Sequence, residues 1–261
     1  MDTPQHKSFK VLVLGDACID RYHYGYCDRL SPEAPVPILR HNHSDDREGM
    51  SLNVANNLRA FGVQVDKVNN PEPISKERFV DLKTRQHLIR FDKGEVTSLE
   101  PYSIAAAKNL DLRGYDAVVI SDYNKGFITF ENATILAARC ATRNIPLFVD
   151  SKKGDLSCYS SAILKINEKE FKRATKYPID YELVVTMGSS GARWGEKHYS
   201  TEECEVFDVS GAGDTFLAAL VYEYLKTSSL DKAIQFANKC SRLVVQRFGT
   251  YSITKEDVES I

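Results

Sequence analysis

The stretch DVSGAGDTF, Asp208–Phe216, sets two glycines and a carboxylate at the start of an apolar-periodic run. Gly211 and Gly213 leave their backbone N–H groups open to an anion, and a helix N-terminus adds the positive end of its dipole. Asp214 is then placed to take the proton from a hydroxyl that attacks a phosphate. Downstream, Phe216, Leu217, Leu220, Val221, Tyr224 and Leu225 recur on one side at helical spacing. The loop therefore sits on a packed helix. A glycine-rich turn before a helix is common, so the rest of the chain must decide its meaning.

Outward from that loop, apolar strand-like runs alternate with amphipathic helical ones, the signature of an α/β protein with a largely parallel sheet. FKVLVLG (Phe9–Gly15) opens the chain as a buried strand, residues 52–61 read as a helix, and GVQVDKV reads as a second strand. YDAVVIS, IPLFVD, AILKIN and ELVVTMG supply further strands, with a helix over 129–142 and helices from Thr215 and Asp231 closing the fold. Asp16, Asp122, Asp150, Asn167 and Thr186 fall at the C-terminal ends of strands, the edge where open α/β sheets bind ligands. Two segments break the pattern. Tyr22–Arg40, with alternating tyrosines and three prolines, reads as an extended flap, either a surface hairpin or a lid and dimer arm. Val68–Arg85 reads as a polar connection with at most one short helix and no clear strand.

With 43% hydrophobic and 27% charged residues over 261 positions, the chain has enough apolar material for one large soluble domain, 1–261, with a β flap at 20–45. A net charge of −2 without a basic block argues against nucleic-acid and membrane-surface roles. MDTPQHKSFK has no apolar signal core and no run approaches the roughly 18 residues of a membrane span, so a cytoplasmic location is expected. Cys18, Cys27, Cys140, Cys158, Cys204 and Cys240 show no zinc-like spacing and read as buried thiols. GDACID has one glycine where a dinucleotide fingerprint needs three, which excludes a dehydrogenase of that type.

The glycine loop, taken with GDACID and EGMSLNVANNL, resembles the PfkB family of sugar and nucleoside kinases along nearly the whole chain. That resemblance implies a ribokinase-like three-layer sandwich with a mainly parallel sheet and a small β lid. It implies that Asp16, Asp20, Gly49 and Asn53 contact the sugar, although Asp16 could equally cap a turn and Asn53 stand exposed on a helix. It implies that Gly211, Ala212 and Gly213 stabilise the transferring phosphate while Asp214 is the base. Asn167 and Glu170 match the element that organises Mg2+ through water near the phosphates, and Thr186, Gly188, Gly191, Asn238 and Gly249 match the ATP site. Read alone, Asn167 could be a strand-end cap and Gly188 a hairpin glycine. A monovalent cation is also compatible with the resemblance.

RLSPEAPVPIL, TRQHLIRFD, SDYNKGFIT and VDSKKGD narrow the resemblance to the heptose 7-phosphate kinases. The reaction implied is ATP-dependent phosphorylation of the anomeric hydroxyl of D-glycero-D-manno-heptose 7-phosphate, a step of ADP-heptose biosynthesis. Lys125, Arg85 and Arg90 are candidates for the substrate's own phosphate, and Gln86 for its hydroxyls, against a solvated lysine and an Arg90–Asp92 pair. Two features depart from the family: Met50 follows Gly49 where a paired glycine is usual, and the connection over 62–85 is shortened. They leave open a PfkB-type kinase for another sugar or nucleoside, and a catalytically weak sugar- or nucleotide-binding regulator. A homodimer through the tyrosine-rich flap is expected. No nucleotidyltransferase domain is expected after the last kinase helix, and that later step is expected to belong to another protein.

Overall fold

The long apolar runs become strands with no solvent side. In a computed structural model, which describes residues 8–72, 74–94, 99–247, 249–259 and 261, they are β1 (Lys10–Gly15), β7 (Ala117–Asp122), β8 (Leu147–Ser151) and β9 (Ala162–Asn167). Val11, Val13, Leu14, Val119, Ile120, Phe148 and Leu164 on these strands are fully buried, as expected of parallel strands covered by helices on both faces. With β4 (Gln64–Asn69), β10 (Tyr181–Thr186), β11 (Ala192–Trp194) and β12 (Lys197–Tyr199) they form an eight-stranded sheet, ordered β12-β11-β10-β9-β8-β7-β1-β4. Every neighbouring pair from β4 to β10 is parallel, and β11 and β12 add an antiparallel edge.

Helices α1 (Ser51–Ala60), α5 (Ala212–Thr227) and α6 (Leu230–Val244) cover one face, packing Leu58, Leu217 and Ala237 into the cluster of Val11, Val13 and Val119. On the other face α2 (Ile104–Asn109) and α3 (Phe130–Thr142) bring Ala107 and Leu136 against Leu12, Leu14 and Ile120. The short helices α4 (Glu168–Arg173) and α7 (Lys255–Glu259) complete the fold. The expected start of α3 at Thr129 moves by one residue because the Thr129 side chain accepts the Asn132 amide as N-cap. More consequentially, α5 begins at Ala212 and not at Thr215, which puts Asp214 inside its first turn. Among the described residues, no helix is long and apolar enough to cross a membrane. Cys18, Cys140, Cys158 and Cys240 are buried thiols, whereas Cys27 and Cys204 are half-exposed.

The lid differs from the sequence expectation. β2 (Ala17–Tyr26) and β3 (Arg40–Met50) form the hairpin of the flap, but β5 (Ile74–Asp81) and β6 (His87–Lys93) join them in a four-stranded sheet ordered β3-β2-β5-β6. The segment expected to lack a strand thus contains β5, one of the two inner lid strands, paired in parallel with β2 from Cys18↔Ile74 to Gly25↔Asp81. Its sequence, ISKERFVD, gives no clean alternation because the charges of Lys76 and Arg78 interrupt the face that turns inward. The short connection has a direct consequence. After β4 the chain passes through Asn69 and Asn70 straight into the lid, and Asn70 clamps the start of β2 by accepting the Ala17 amide at 2.6 Å. Asn69 ties the same corner to the core through the Gly15 carbonyl (3.1 Å) and the Ser51 hydroxyl (2.7 Å).

Candidate active site

At the first turn of α5, no side chain caps the helix and Gly211 holds φ +82° as its N-cap. A side chain there would need left-handed backbone, and its Cβ would lie 2.7 Å from Asn53 Nδ2. Ala212 donates its N–H to the Val209 carbonyl at 3.2 Å, so it is not available to an anion as the sequence reading had it. The Gly211 and Gly213 amides have no acceptor among the described residues. Asp208 holds this loop in place by accepting the Ser210 amide (2.8 Å) and the Gly249 amide (3.0 Å).

Asp214 is buried, with Oδ2 accepting Asn53 Nδ2 at 3.1 Å and Oδ1 accepting the Tyr123 hydroxyl at 2.8 Å. Burial pushes its carboxyl up to about 6, and the two hydrogen bonds restrain that rise. Asn53 is itself fixed, its Oδ1 accepting Ser252 Oγ (2.8 Å) and Asn57 Nδ2 (3.1 Å). It is buried, not exposed on the helix surface. Tyr123 was quoted in the sequence only as part of a motif, and its contact to Asp214 spans 91 residues.

The remaining sugar-side residues fall in three groups. Asp16, at the end of β1, is fully buried; its Oδ2 accepts the Lys125 amide at 3.3 Å, while Oδ1 lacks a partner among the described residues. Burial, then the neighbouring Asp122 carboxylate, raises its carboxyl to about 6. Asp20 is engaged otherwise than expected, in a buried ion pair with Arg78 of β5 at 2.5 Å and as acceptor from Thr250 Oγ1 at 3.1 Å. Gly49 makes that pair possible, since a Cβ there would lie 2.4 Å from Asp20 Oδ2 and 2.6 Å from Cys18 Sγ. Met50 stands at φ +57° with its side chain buried against Cys18 and Ile74. Gln86 is not brought to this site. It lies in the far turn of the lid, its carbonyl accepting the Asp81 amide. Arg90 is paired in fork geometry with Asp92, at 2.7 and 2.6 Å. Lys125 reaches the site through its backbone amide.

On the opposite side of the loop lies a cavity of about 450 Å³ lined by Thr186, Gly188, Gly191, Ala212, Gly213 and Asn238, with Val206 and Val209 at its rim. Its apolar walls and helix-terminal amides suit a nucleotide. Asn238 is braced from within, donating to the Tyr199 carbonyl at 2.9 Å. Gly249, expected on the adenine side, sits instead on the seam with the lid, where a Cβ would meet Arg47 Nη1 at 2.5 Å and the Tyr22 hydroxyl at 3.2 Å. Asn167 and Glu170 form a reciprocal capping box at the start of α4: Asn167 Oδ1 accepts the Glu170 amide (2.9 Å) and Glu170 Oε2 accepts the Asn167 amide (2.8 Å). The cap reading of Asn167 therefore holds, and the cap sets Glu170 at the start of α4.

One buried group that the sequence reading missed, Lys165, lies between these halves. Lys165 of β9 is ion-paired with Asp150 at 2.6 Å, and its ammonium would be 3.0 Å from a Cβ on Gly213. Burial works against its charge, but Asp150 outweighs it and the ammonium is held protonated, above its ordinary value. Glu170 is pushed above the usual carboxylate range by burial and by Asp150. Among the described residues, no three metal-ligating side chains are close enough to hold an ion by themselves. Asp150, Glu170 and Asp214 nevertheless share one electrostatic neighbourhood, a donor set that fits a hydrated Mg2+ held chiefly by nucleotide phosphates.

A nucleotide-sized cavity, an uncapped helix N-terminus and a buried carboxylate under a β lid define a carbohydrate kinase of the ribokinase-like fold class. Residues 45–257 match the sequence pattern described as pfkB family carbohydrate kinase, and the chain belongs to that family. Among curated relatives, Bifunctional protein HldE of Sulfurimonas denitrificans is 32% identical over 307 aligned positions, covering 97% of this chain, and that of Escherichia coli O9:H4 is 30% identical, covering 98%. The chain spans 64% of the length of each. An alignment of 307 positions against 261 residues means that the relative carries residues this chain lacks. Similar solved structures include Arabidopsis thaliana ribokinase with ribose and ATP (TM-score 0.69, 18% identity, 97% and 98% of the two chains covered). Phosphofructokinase-2 from Escherichia coli with potassium is similar too (TM-score 0.72, 17% identity, 97% of each chain covered). At these identities they bear on the fold alone.

Proposed function

We propose that the chain transfers the γ-phosphoryl group of ATP, accompanied by Mg2+, to the anomeric hydroxyl of D-glycero-D-manno-heptose 7-phosphate, giving the 1,7-bisphosphate. One observation carries the kinase chemistry: the buried Asp214 carboxylate stands on the same helical turn as the open Gly211 and Gly213 amides. The heptose assignment is supported by the four motifs quoted above and is in keeping with relatives named HldE.

In the reaction, the acceptor hydroxyl donates to Asp214, whose oxygens each retain a lone pair beside Tyr123 and Asn53. Asp214 takes the proton as the oxygen attacks the γ-phosphorus; the bond to the ADP oxygen breaks and ADP leaves. The Gly211 and Gly213 amides receive charge on the equatorial oxygens. Asp16, with an orphaned Oδ1, is the acceptor for a second sugar hydroxyl. Glu170 and Asp150 would hold the Mg2+ water shell, and the bound ion would neutralise phosphate charge.

A second reading, a kinase for a different sugar, is favoured by Asp20, whose carboxylate is already taken by Arg78 and Thr250. A product-resolved assay with ATP, Mg2+ and a panel of heptose 7-phosphate, fructose phosphates, ribose and adenosine separates the two. Turnover of heptose 7-phosphate at least about 100-fold above the others, in kcat/KM, is expected; tight binding without product for every acceptor would leave a regulator.

Dimerisation through the lid is part of the proposal, on a different face from the one first expected. Tyr22 and Tyr24 stack on each other within the lid, Tyr22 fully buried, whereas Ile89 (60% exposed) and Phe91 (54%) stand bare on β6. Sedimentation of the wild type as a dimer and of Phe91→Glu as a monomer is the expected pair of results.

A further inference from the structure

The sequence VDSKKGD places two lysines side by side after β8, and the fold sends them to different ends. Lys153 Nζ is consumed by structure, donating to Asp122 Oδ2 and to the Ile128 carbonyl, each at 2.6 Å. Lys152 has no such partner: its ammonium lies 3.6 Å from the centroid of the Tyr123 ring and forms no ion pair among the described residues. Tyr123 is the residue whose hydroxyl binds Asp214. The carboxylates in whose field Lys152 stands are Asp150, Glu170 and Asp214, and the like charge nearest in effect is Lys76 of β5. Lys76 is itself 5.8 Å from the Tyr123 centroid, on the lid side of the same ring. Lys152 is exposed as a residue, and its ammonium is seated at the meeting point of the base, the Mg2+ element and the lid, where an incoming anion can reach it. The ring holds it there through its π face.

We propose that Lys152 is a further substrate-contacting residue of the phosphoryl-transfer centre, its ammonium binding an oxygen of the phosphoryl group as that group passes from ATP to the acceptor. The inference rests on the kinase reading above and adds a residue to it. Charge is balanced: the P–O bond to the acceptor forms as the bond to ADP breaks, Asp214 keeps the acceptor's proton, and Lys152 stays protonated throughout. Its surroundings favour the transferring group over a phosphate already on the sugar, because Glu170 and Asp214 flank it, whereas Arg78 and Asp20 occupy the lid side. Tyr123 then serves both partners, holding the ammonium over its ring and the base at its hydroxyl.

The test compares Lys152→Met and Lys152→Arg with wild type in the full chain. Calorimetric titration with Mg2+ and either ADP or the non-hydrolysable β,γ-imido analogue of ATP reads the phosphate contact without any acceptor. For Lys152→Met, ADP affinity within about twofold of wild type and analogue affinity weaker by about 10-fold are expected, the size of one charge-assisted hydrogen bond. Turnover on the best acceptor should fall about 100-fold with little change in acceptor KM, and Lys152→Arg should regain part of it. Equal weakening of ADP and analogue would overturn the proposal, as would unchanged values for both. A loss confined to the KM of phosphorylated acceptors, absent for unphosphorylated ones, would reassign the ammonium to the sugar's own phosphate and equally overturn it. Because the titrations need no sugar, failure to find an acceptor leaves this result readable. An unchanged melting curve for Lys152→Met excludes unfolding as the cause.

Discussion

The Tyr123 hydroxyl donates to Asp214 Oδ1 at 2.8 Å while Asn53 Nδ2 donates to Oδ2 at 3.1 Å, so the proposed base is held at both oxygens by donors from two other segments. This contact joins the end of β7 to the first turn of α5. It sets both the direction and the basicity of the carboxylate: burial raises the pKa, the two donors lower it, and about 6 is the balance.

The acid limb of kcat/KM should therefore fall as pH drops through about 6, because Asp214 must be ionised to accept a proton. Tyr123→Phe removes a donor that favours the ionised form, so the limb should move to higher pH. Asp16 also titrates at about 6, but Tyr123 touches it through the backbone only, so the shift reports Asp214. An unmoved limb in a pH–rate profile of Tyr123→Phe would separate the tyrosine from the base.

Asp214→Asn should lower turnover by about 100-fold or more while ADP binding persists. It should also stabilise the apo protein. The folded-state value of about 6 lies above the usual 3.8, so folding costs free energy when the group is ionised. That cost is complete above pH 6, shrinks as pH falls, and vanishes below about 4. Thermal melts should show the variant more stable by about 1–3 kcal/mol at pH 8, with the gain gone at pH 4.

Gly49→Ala should damage the lid and leave the nucleotide cavity alone. Its Cβ would enter contact at 2.4 Å with Asp20 Oδ2, on a buried carboxylate already fixed by Arg78. We expect a stability loss of about 1–3 kcal/mol and a rise in acceptor KM, with ADP affinity retained in calorimetry.

Arg78→Leu leaves Asp20 buried without its cation and should cost about 3–5 kcal/mol in denaturant unfolding. The double variant Asp20→Asn, Arg78→Leu should recover part of that loss. If the single and double variants are equally unstable, the ion pair is not what holds β2 to β5.

Much of this was legible in the chain because it is local. The apolar runs of β1, β7, β8 and β9 are strands buried on both faces, and DVSGAGDTF announces its own turn and helix. β5 was not legible: the face of ISKERFVD that turns inward, Ile74, Arg78 and Val80, is interrupted in sequence by the charges of Lys76 and Arg78, and Arg78 is buried only through its distant partner Asp20. Gln86 and Gly249 were assigned to the site by family resemblance; the lid's register sets Gln86 in its far turn, and Gly249 packs beside Arg47 and Tyr22 at the lid seam.

Sequence by itself determined the class of fold and singled out the glycine loop and Asp214 as the candidate phosphate site and base, since hydrophobic period and turn chemistry are encoded over a few adjacent residues. Only the tertiary structure decided what surrounds that base. Tyr123 and Asn53 reach Asp214 across 91 and 161 positions, Lys152 diverges from Lys153, and Asp20 is committed to Arg78. Such pairings depend on which strand ends and lid registers meet in space, a long-range outcome of sheet order that no local pattern records.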